Sequence, residues 1–191
     1  MRPRSTHQVG ASVITVVLSA TFTLHFNDLK RLSSERSAMS VNPVPEQYRG
    51  VIAYLIVQGA SDAIRFYTEI FGAEEFMRLA APDGSIGHAE LRMAGGVVML
   101  ADEVPDMDIK APPTIGGSSV GLMVYVEDAD AVFNAAIAAG ATAFKPICDQ
   151  FYGDRCGTVD DPFGHRWTIA SRIEELSPAD VTQKFQELYG D

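Results

Sequence analysis

The pattern of apolar and polar positions divides the chain beyond residue 50 into two similar series of predicted elements. Residues 51–57 form a continuous apolar run of strand length, and residues 60–71 carry apolar side chains at helical spacing up to Gly72. Three strand-like stretches follow, and in one of them, 85–93, polar and apolar residues alternate strictly. Residues 120–172 repeat this order of elements, which predicts two βαβββ modules.

The two halves keep a common register, because equivalent residues such as Val57 and Val126 are separated by 68 or 69 positions. One helix covers one face of the strands in each module, so the other face is left to line a cleft. We therefore predict an α+β fold of two tandem βαβββ modules forming a curved mixed sheet. Module one covers 51–102, a linker covers 103–119, and module two covers 120–172.

The segments outside the modules have their own composition. The linker is rich in proline and glycine, which predicts an irregular connection or a flap. Ser177 followed by proline is typical of a helix start, so we expect a C-terminal helix over 178–188. Residues 1–38 are left out of the fold prediction. They are interpreted as an export signal within 1–26, as a disordered or loosely docked extension, or as a start codon placed too far upstream.

Composition and charge narrow the functional classes. A chain of 191 residues with 47% hydrophobic and 21% charged content is ordinary for one soluble domain. Its net charge of −10 argues against a nucleic-acid partner, and the apolar stretch 11–26 is too short and polar to span a membrane. Cys148 and Cys156 match neither a metal clip nor a dense disulfide framework, so we expect reduced thiols, with a disulfide between the two as the alternative. We expect a cytoplasmic protein, with export as the alternative.

Four stretches carry a resemblance to a known family. A-I-R-F-Y-T-E-I-F-G-A-E at 63–74 and D-D-P-F-G-H-R-W-T-I-A at 160–170 resemble the vicinal oxygen chelate superfamily, which has the glyoxalase/bleomycin resistance fold. That group includes glyoxalase I, extradiol dioxygenases, fosfomycin-modifying enzymes and bleomycin-binding proteins. The stretches 88–102 and 149–167 most resemble its PhnB-like branch. The resemblance covers 45–178 and implies a single domain, a small-molecule ligand in the cleft and a homodimer.

The resemblance also implies a metal site, for which this sequence lacks the ligands. Enzymes of the superfamily hold a divalent metal with side chains, usually His and Glu, from the first and last strands of each module. By the repeat alignment the matching positions here are Ile52, Met99, Gly121 and Thr168. None of these is a good ligand, and catalytic metal sites normally need about three. We therefore predict no metal ligands and assign no cofactor, with a bound divalent metal as the alternative.

The strongest candidate for chemistry is the triplet His88-x-Glu90-x-Arg92. Alternation along a strand places these three side chains on one face. A neutral imidazole beside a carboxylate can act as a general base, with Glu90 fixing its tautomer, and Arg92 can hold an anionic group. The alternative is that the strand merely turns polar residues toward solvent.

A second group of candidate ligand contacts is aromatic and basic. The D-Q-F-Y-G-D-R-C segment places Phe151, Tyr152 and Arg155 where the rim of a pocket is expected. The alternatives are packing of the two rings against the other module or a second subunit and a surface ion pair between Asp154 and Arg155. Tyr54 on the first strand faces either the cleft or the helix, and Trp167 is predicted to lie in the core.

Two functions remain open from the sequence. The first is a glyoxalase-like enzyme of the metal-independent lyase or isomerase type, which acts on a small polar or anionic metabolite. Its acid/base pair is His88 and Glu90, with Arg92 or Arg155 as the anchor. The second is a bleomycin-resistance-type protein that sequesters a cationic aromatic compound without turnover, in a cleft lined by Tyr54, Phe151 and Tyr152. The acidic body of the chain favours a cationic ligand.

Overall fold

The computed structural model describes residues 42–190, and from Val44 onward they belong to one compact unit. The strands in this part are β1 Ala53–Val57, β2 Glu74–Ala80, β3 Ile86–Met93, β4 Gly96–Asp102, β5 Gly121–Tyr125, β6 Thr142–Asp149, β7 Asp154–Asp160 and β8 Arg166–Arg172. The helices are α1 Ala60–Phe71, α2 Pro112–Ile115, α3 Ala129–Ala138 and α4 Pro178–Tyr189. None of them is long and apolar enough to cross a membrane. The three interpretations of residues 1–38 lie outside the described residues.

The strands form two four-stranded sheets of the same topology. The order is β1-β4-β3-β2 in the first sheet and β5-β8-β7-β6 in the second. In each sheet the first pair is parallel and the other two pairs are antiparallel. The predicted α+β fold of two tandem βαβββ modules is therefore confirmed, with one mixed sheet for each module.

Helix α1 has well-defined ends. At its start, Asp102 Oδ1 accepts hydrogen bonds from the backbone N–H groups of Gly59 and Ala60, at 2.9 and 2.7 Å. A carboxylate at this position satisfies free amides and complements the positive end of the helix. At its end, Gly72 adopts a left-handed conformation with φ 64°, as predicted from the sequence. The buried stripe of α1 covers one face of sheet one and consists of Ala60, Ala63, Ile64, Phe66 and Tyr67.

Helix α1 also joins the two modules. The buried Tyr67 hydroxyl donates to Asp161 Oδ2 at 2.7 Å, and Trp167 Nε1 donates to the same oxygen at 3.0 Å. The Phe66 ring meets Phe163 edge-on, with the ring centroids 6.1 Å apart. Trp167 is 2% exposed, which confirms its predicted place in the core.

The linker 103–119 is more regular than its composition predicts. It contains a 3-10 turn at Pro105–Met107, helix α2 and one isolated β-bridge. Thr114 Oγ1 donates to Glu103 Oε2 at 2.6 Å, which ties α2 to the end of β4. Proline in the first turn of a helix loses no hydrogen bond, so this proline-rich segment still forms a short helix.

Candidate functional site

The face of sheet one that points away from α1 carries the polar candidates. On β1, Tyr54 is 48% exposed, whereas the next residue, Leu55, is buried toward the helix. On β3, His88 and Glu90 alternate with apolar residues that are buried on the helix side. The strand register places Tyr54 and Glu90 on either side of Met99. Tyr54 therefore faces away from the helix layer.

Four side chains on this face form one hydrogen-bonded chain. The Tyr54 hydroxyl lies 2.9 Å from His88 Nδ1, and His88 Nε2 lies 3.1 Å from Glu90 Oε1. The second carboxylate oxygen, Glu90 Oε2, accepts a hydrogen bond from the Tyr48 hydroxyl at 2.6 Å. The chain runs from a half-exposed phenol to a carboxylate that is only 3% exposed.

The partners fix the tautomer of His88. An ionised carboxylate only accepts hydrogen bonds, so His88 Nε2 carries the hydrogen that is donated to Glu90. In the neutral ring Nδ1 is then the acceptor, and the Tyr54 hydroxyl donates to it. Both ring nitrogens are therefore engaged, and Tyr54 is the end of the chain that faces solvent.

The electrostatics favour an ionised Glu90 between neutral phenols. Burial raises the pKa of Glu90, but the hydrogen bonds from Tyr48 and His88 outweigh burial and leave its pKa below the ordinary value. The hydrogen bond to Glu90, followed by desolvation, raises the pKa of Tyr48. Desolvation and the charge of Glu90 raise the pKa of Tyr54. The negative charge of this hydrogen-bonded chain therefore lies on buried Glu90, between Tyr48 and His88.

Arg92 lies on the same strand but in a different environment. Its guanidinium carbon is 4.2 Å from the centroid of the Phe76 ring, a cation–π contact. Phe76 is the extra residue of a bulge in β2, where the register with β3 shifts. Because Arg92 is four residues beyond His88, it lies about 13 Å away along the strand.

Arg155 is not brought together with His88. Its side chain lies between two carboxylates, with Nη2 2.7 Å from Asp130 Oδ1 and Nη1 2.7 Å from Asp149 Oδ1. Asp130 belongs to α3, so the Arg155 guanidinium lies on the helix side of sheet two. An ion pair therefore describes Arg155 better than the anchor role, but the expected partner was wrong, because adjacent strand residues point to opposite faces and Asp154 pairs with Arg172 instead.

The two aromatic candidates of the 149–156 segment have different surroundings. Phe151 packs against Phe185 and Tyr189 of α4, with centroid distances of 5.8 and 6.2 Å. This corresponds to the packing alternative. The Tyr152 hydroxyl lies 3.5 Å from Cys156 Sγ, and Tyr152 lines a cavity of about 320 Å³ on module two. Tyr152 remains a candidate ligand contact.

Sequence reasoning missed two features of the site. Tyr48, the second partner of Glu90, lies in a 3-10 turn before the first strand, where no periodicity marks it. On module two, the Tyr125 hydroxyl donates to buried Asp154 at 2.7 Å, and Arg172 Nε lies 2.8 Å from the other oxygen. The direction of this ion pair does not suit a hydrogen bond, so Asp154 Oδ1 accepts none from the described residues. Strand alternation does not identify this pair, because it assigns a face to each residue but no register between β5 and β7, which are separated by β8.

Two cavities meet at Tyr54. One, of about 260 Å³, lies between β1 and β5 and is lined also by Leu122 and His165. The other, of about 510 Å³, is lined also by Ile109 and Lys110 from the linker. The Tyr54 side chain therefore borders space for a small ligand on both sides.

The residues at the metal positions of the fold family do not fit a divalent metal. The register pairs the residues of the first and last strands as Tyr54 with Met99 and Met123 with Thr168. The repeat alignment points to Ile52 and Gly121 instead. Ile52 lies two residues before Tyr54 and outside β1, and Gly121 lies two residues before Met123. A phenol, two thioethers and a hydroxyl are poor ligands for a hard or borderline cation. Within residues 42–190, no three His, Cys, Asp or Glu side chains are grouped to hold a metal.

Comparisons with known proteins agree with this architecture. The uncharacterized protein Rv0887c of Mycobacterium tuberculosis is 39% identical over 146 residues, which cover 75% of this chain and 84% of that protein. The crystal structure of TioX from Micromonospora sp. ML1 is 26% identical with a TM-score of 0.51, and the match covers 67% of this chain and 99% of TioX. The PhnB protein of Bacillus cereus shares the fold at 21% identity and a TM-score of 0.52, over 64% of this chain and 99% of PhnB.

The chain also matches the model of a protein family. The model of the Glyoxalase/Bleomycin resistance protein/Dioxygenase superfamily matches residues 50–169, from β1 of module one into β8 of module two. With both modules matched and the paired βαβββ topology present, the chain belongs to the Glyoxalase/Bleomycin resistance protein/Dioxygenase superfamily.

Proposed function

We propose that this protein binds a small metabolite on the cleft face of module one and transfers a proton through Tyr54 and His88. The observation that carries the proposal is the hydrogen-bonded chain from exposed Tyr54 through His88 to buried Glu90. A strand that only exposes its polar residues to solvent does not require a buried carboxylate hydrogen-bonded to an imidazole. Such an arrangement of titratable groups beside a cavity is typical of proton-transfer sites.

We assign a role to each group in this proposal. Tyr54 is the catalytic residue, because it is the member of this hydrogen-bonded chain that lines both adjoining cavities. As the Tyr54 hydroxyl oxygen takes a proton from the substrate, the phenol proton passes to His88 Nδ1. The resulting imidazolium is stabilised by Glu90, and return of a proton to another substrate atom completes an isomerisation. A positioned acid/base of this kind contributes about 10²- to 10⁴-fold to a rate.

The cavities indicate what kind of substrate fits. The larger one joins Tyr54 to apolar walls from Ile109 and its neighbours, and its charged lining residues are Asp102, Asp108 and Lys110, of which Lys110 is ion-paired with Asp108. The walls favour a compact compound with an apolar body and an enolisable proton, and a carboxylate on it would compete with Asp108 for Lys110. Arg92, about 13 Å from His88 along the strand, is too distant to hold the same small anion.

Phenylpyruvate combines these three properties and is the probe of choice. Exchange of its methylene protons with D2O can be followed by proton NMR in the presence of the folded protein. We expect Tyr54→Phe and His88→Gln to lower the exchange rate about 10²-fold or more. Tyr189→Phe, which removes an exposed hydroxyl on α4, is the matched control and should keep the wild-type rate. Wild-type exchange no faster than buffer, or full exchange by Tyr54→Phe, would refute the proposal.

Capture of a cationic aromatic compound is the second candidate function. It is supported by half-exposed Tyr54 and Tyr125 rings, 48% and 50% exposed, on a chain of net charge −10. Titration with ethidium, followed by its fluorescence, tests this function directly. Saturable binding that is lost in Tyr54→Ala, without proton exchange on phenylpyruvate, would favour capture over catalysis.

A further inference from the structure

A pair of thiols lies on module two, outside the proposed site. Cys148 on β6 and Cys156 on β7 are direct partners in the antiparallel register, and both are free. Directly opposite residues of an antiparallel pair point to the same face of the sheet. We infer that Cys148 and Cys156 form an oxidisable dithiol that closes to an intramolecular disulfide.

The backbone spacing suits this bond. The hairpin between β6 and β7 is closed by a hydrogen bond from Gln150 N to Asp154 O at 2.7 Å. Hydrogen-bonded pairs recur every second residue, so Cys148 and Cys156 form the next pair of that type, with Cα atoms about 5.5 Å apart. Disulfides span Cα distances of about 4.4–6.8 Å, with the commonest values near 5.5–6 Å.

Only a small adjustment of β6 is needed for the sulfur atoms to meet. Cβ atoms of a hydrogen-bonded pair lie near the far end of the cross-strand range of about 4.5–5.5 Å, whereas a disulfide needs about 3.5–4.5 Å, so the two Cβ atoms must approach by about 1–2 Å. Strand β6 is the last strand of its sheet, with β7 as its neighbour. The register shifts between Lys145 and Cys148, and such a bulge increases local twist. An edge strand with a bulge beside the thiol can make this adjustment.

The two thiols differ in access to an oxidant. Cys148 is exposed, whereas Cys156 is 6% exposed. Both line the module-two cavity of about 320 Å³, together with Lys145 and Tyr152. Gln150 Nε2 donates a hydrogen bond to Cys148 Sγ at 3.1 Å and helps to orient that thiol. Cys148 is therefore the attacking thiol and Cys156 the resolving thiol.

The reaction balances with a low-molecular-weight disulfide, RSSR, as the oxidant. The Cys148 thiolate attacks one sulfur of RSSR, forms a mixed disulfide and releases one RS⁻. The Cys156 thiolate then attacks the Cys148 sulfur, forms the protein disulfide and releases the second RS⁻. The two protein thiols lose two protons and two electrons, and RSSR is reduced to two RSH. The new bond crosses the cavity wall, so oxidation changes the module-two side of the cleft.

Treatment of the folded full-length chain with oxidised glutathione tests this inference. Intact mass, thiol titration and non-reducing electrophoresis are measured for the wild type, Cys148→Ser and Cys156→Ser. We expect the wild type to lose two hydrogen atoms in mass and both titratable thiols while remaining monomeric on the gel. Cys156→Ser should stop at one glutathione adduct on Cys148, and Cys148→Ser should react much more slowly because its remaining thiol is buried.

Three results would overturn the inference. Accumulation in the wild type of the same glutathione adduct as in Cys156→Ser would show that Cys156 does not resolve it. Disulfide-linked dimers formed through Cys148 would show that the thiol reacts between molecules instead. Retention of both thiols at an oxidant concentration that fully modifies Cys156→Ser would show that the wild-type pair does not close. Unchanged Trp167 fluorescence in each sample establishes that the reaction took place in the folded protein.

Discussion

The hydrogen bond from Tyr67 to Asp161 gives a quantitative test of how helix α1 holds module two. The Tyr67 side chain is fully buried, and its hydroxyl lies 2.7 Å from Asp161 Oδ2. Tyr67→Phe removes this hydroxyl and keeps the ring, whose centroid lies 6.1 Å from that of Phe163 and 5.6 Å from that of Trp167. The substitution therefore isolates one hydrogen bond between the modules.

The remaining partners of Asp161 set the size of the effect. Trp167 Nε1 still donates to Oδ2, and the backbone N–H groups of Phe163 and His165 still donate to Oδ1, at 2.9 and 2.8 Å. The carboxylate thus stays partnered, and only the net value of one hydrogen bond to a charged group, about 1.5–3 kcal/mol, is lost. We expect the free energy of unfolding to fall by about 2 kcal/mol, a clear fraction of a typical total of about 5–15 kcal/mol.

Urea unfolding followed by fluorescence measures this loss, because Trp167 is the single tryptophan of the chain and donates to the same Asp161 oxygen as the Tyr67 hydroxyl. The slope of the transition should not change, so the loss appears as a lower midpoint. Tyr189→Phe, an exposed counterpart on α4, should stay within about 0.5 kcal/mol of the wild type. If Tyr67→Phe is equally close to the wild type, Tyr67 and Asp161 do not hold the modules together as described.

The pH dependence of stability in the same variant provides a second test of the contact between Tyr67 and Asp161. Burial, followed by the charge of Asp161, raises the pKa of Tyr67 well above its ordinary value near 10. The unfolded chain therefore ionises this phenol above about pH 10 while the folded chain keeps it neutral, so stability is present below that pH and is lost above it. Tyr67→Phe should lack this part of the alkaline loss of stability, and an unchanged alkaline profile would contradict the assignment.

Three further predictions concern single positions. The depressed pKa of Glu90 means that its contribution to stability is present above the unfolded value near 4.5 and is lost as the pH falls through the folded value. Glu90→Gln should therefore have urea midpoints that change less between pH 6 and pH 3 than those of the wild type, and an equal change would contradict the reasoning. Gly164→Ala, at φ 86° with the new Cβ 2.9 Å from Pro112 Cβ, should cost about 1–3 kcal/mol in urea unfolding, whereas a loss below about 0.5 kcal/mol would not fit. Ser177→Ala removes the hydroxyl that accepts a hydrogen bond from Asp180 N at the start of α4. The amides of α4 should then exchange faster with D2O, and the free energy of unfolding should fall by about 1 kcal/mol. Unchanged exchange would mean that the cap is dispensable.

Strand periodicity predicted part of the candidate site. His88 and Glu90 share a face because side chains alternate along a strand, and this follows from a separation of two residues alone. The same rule left Tyr54 with two open orientations, since a continuous apolar strand does not show which face is covered. Tyr48 carried no signal, because its contact with Glu90 joins residues that are 42 positions apart. The chain of proton donors and acceptors therefore became visible only in the folded molecule.

The sequence by itself determined the two βαβββ modules, the end of α1 at Gly72 and the start of α4 after Ser177. These features depend on hydrophobic periodicity and on the backbone preferences of single residues, which act over a few positions. Only the tertiary structure decided that Arg155 is neutralised by Asp130 and that Phe151 packs on α4. Partners of this kind lie far apart in the chain, and the packing of helices and sheets determines which of them meet.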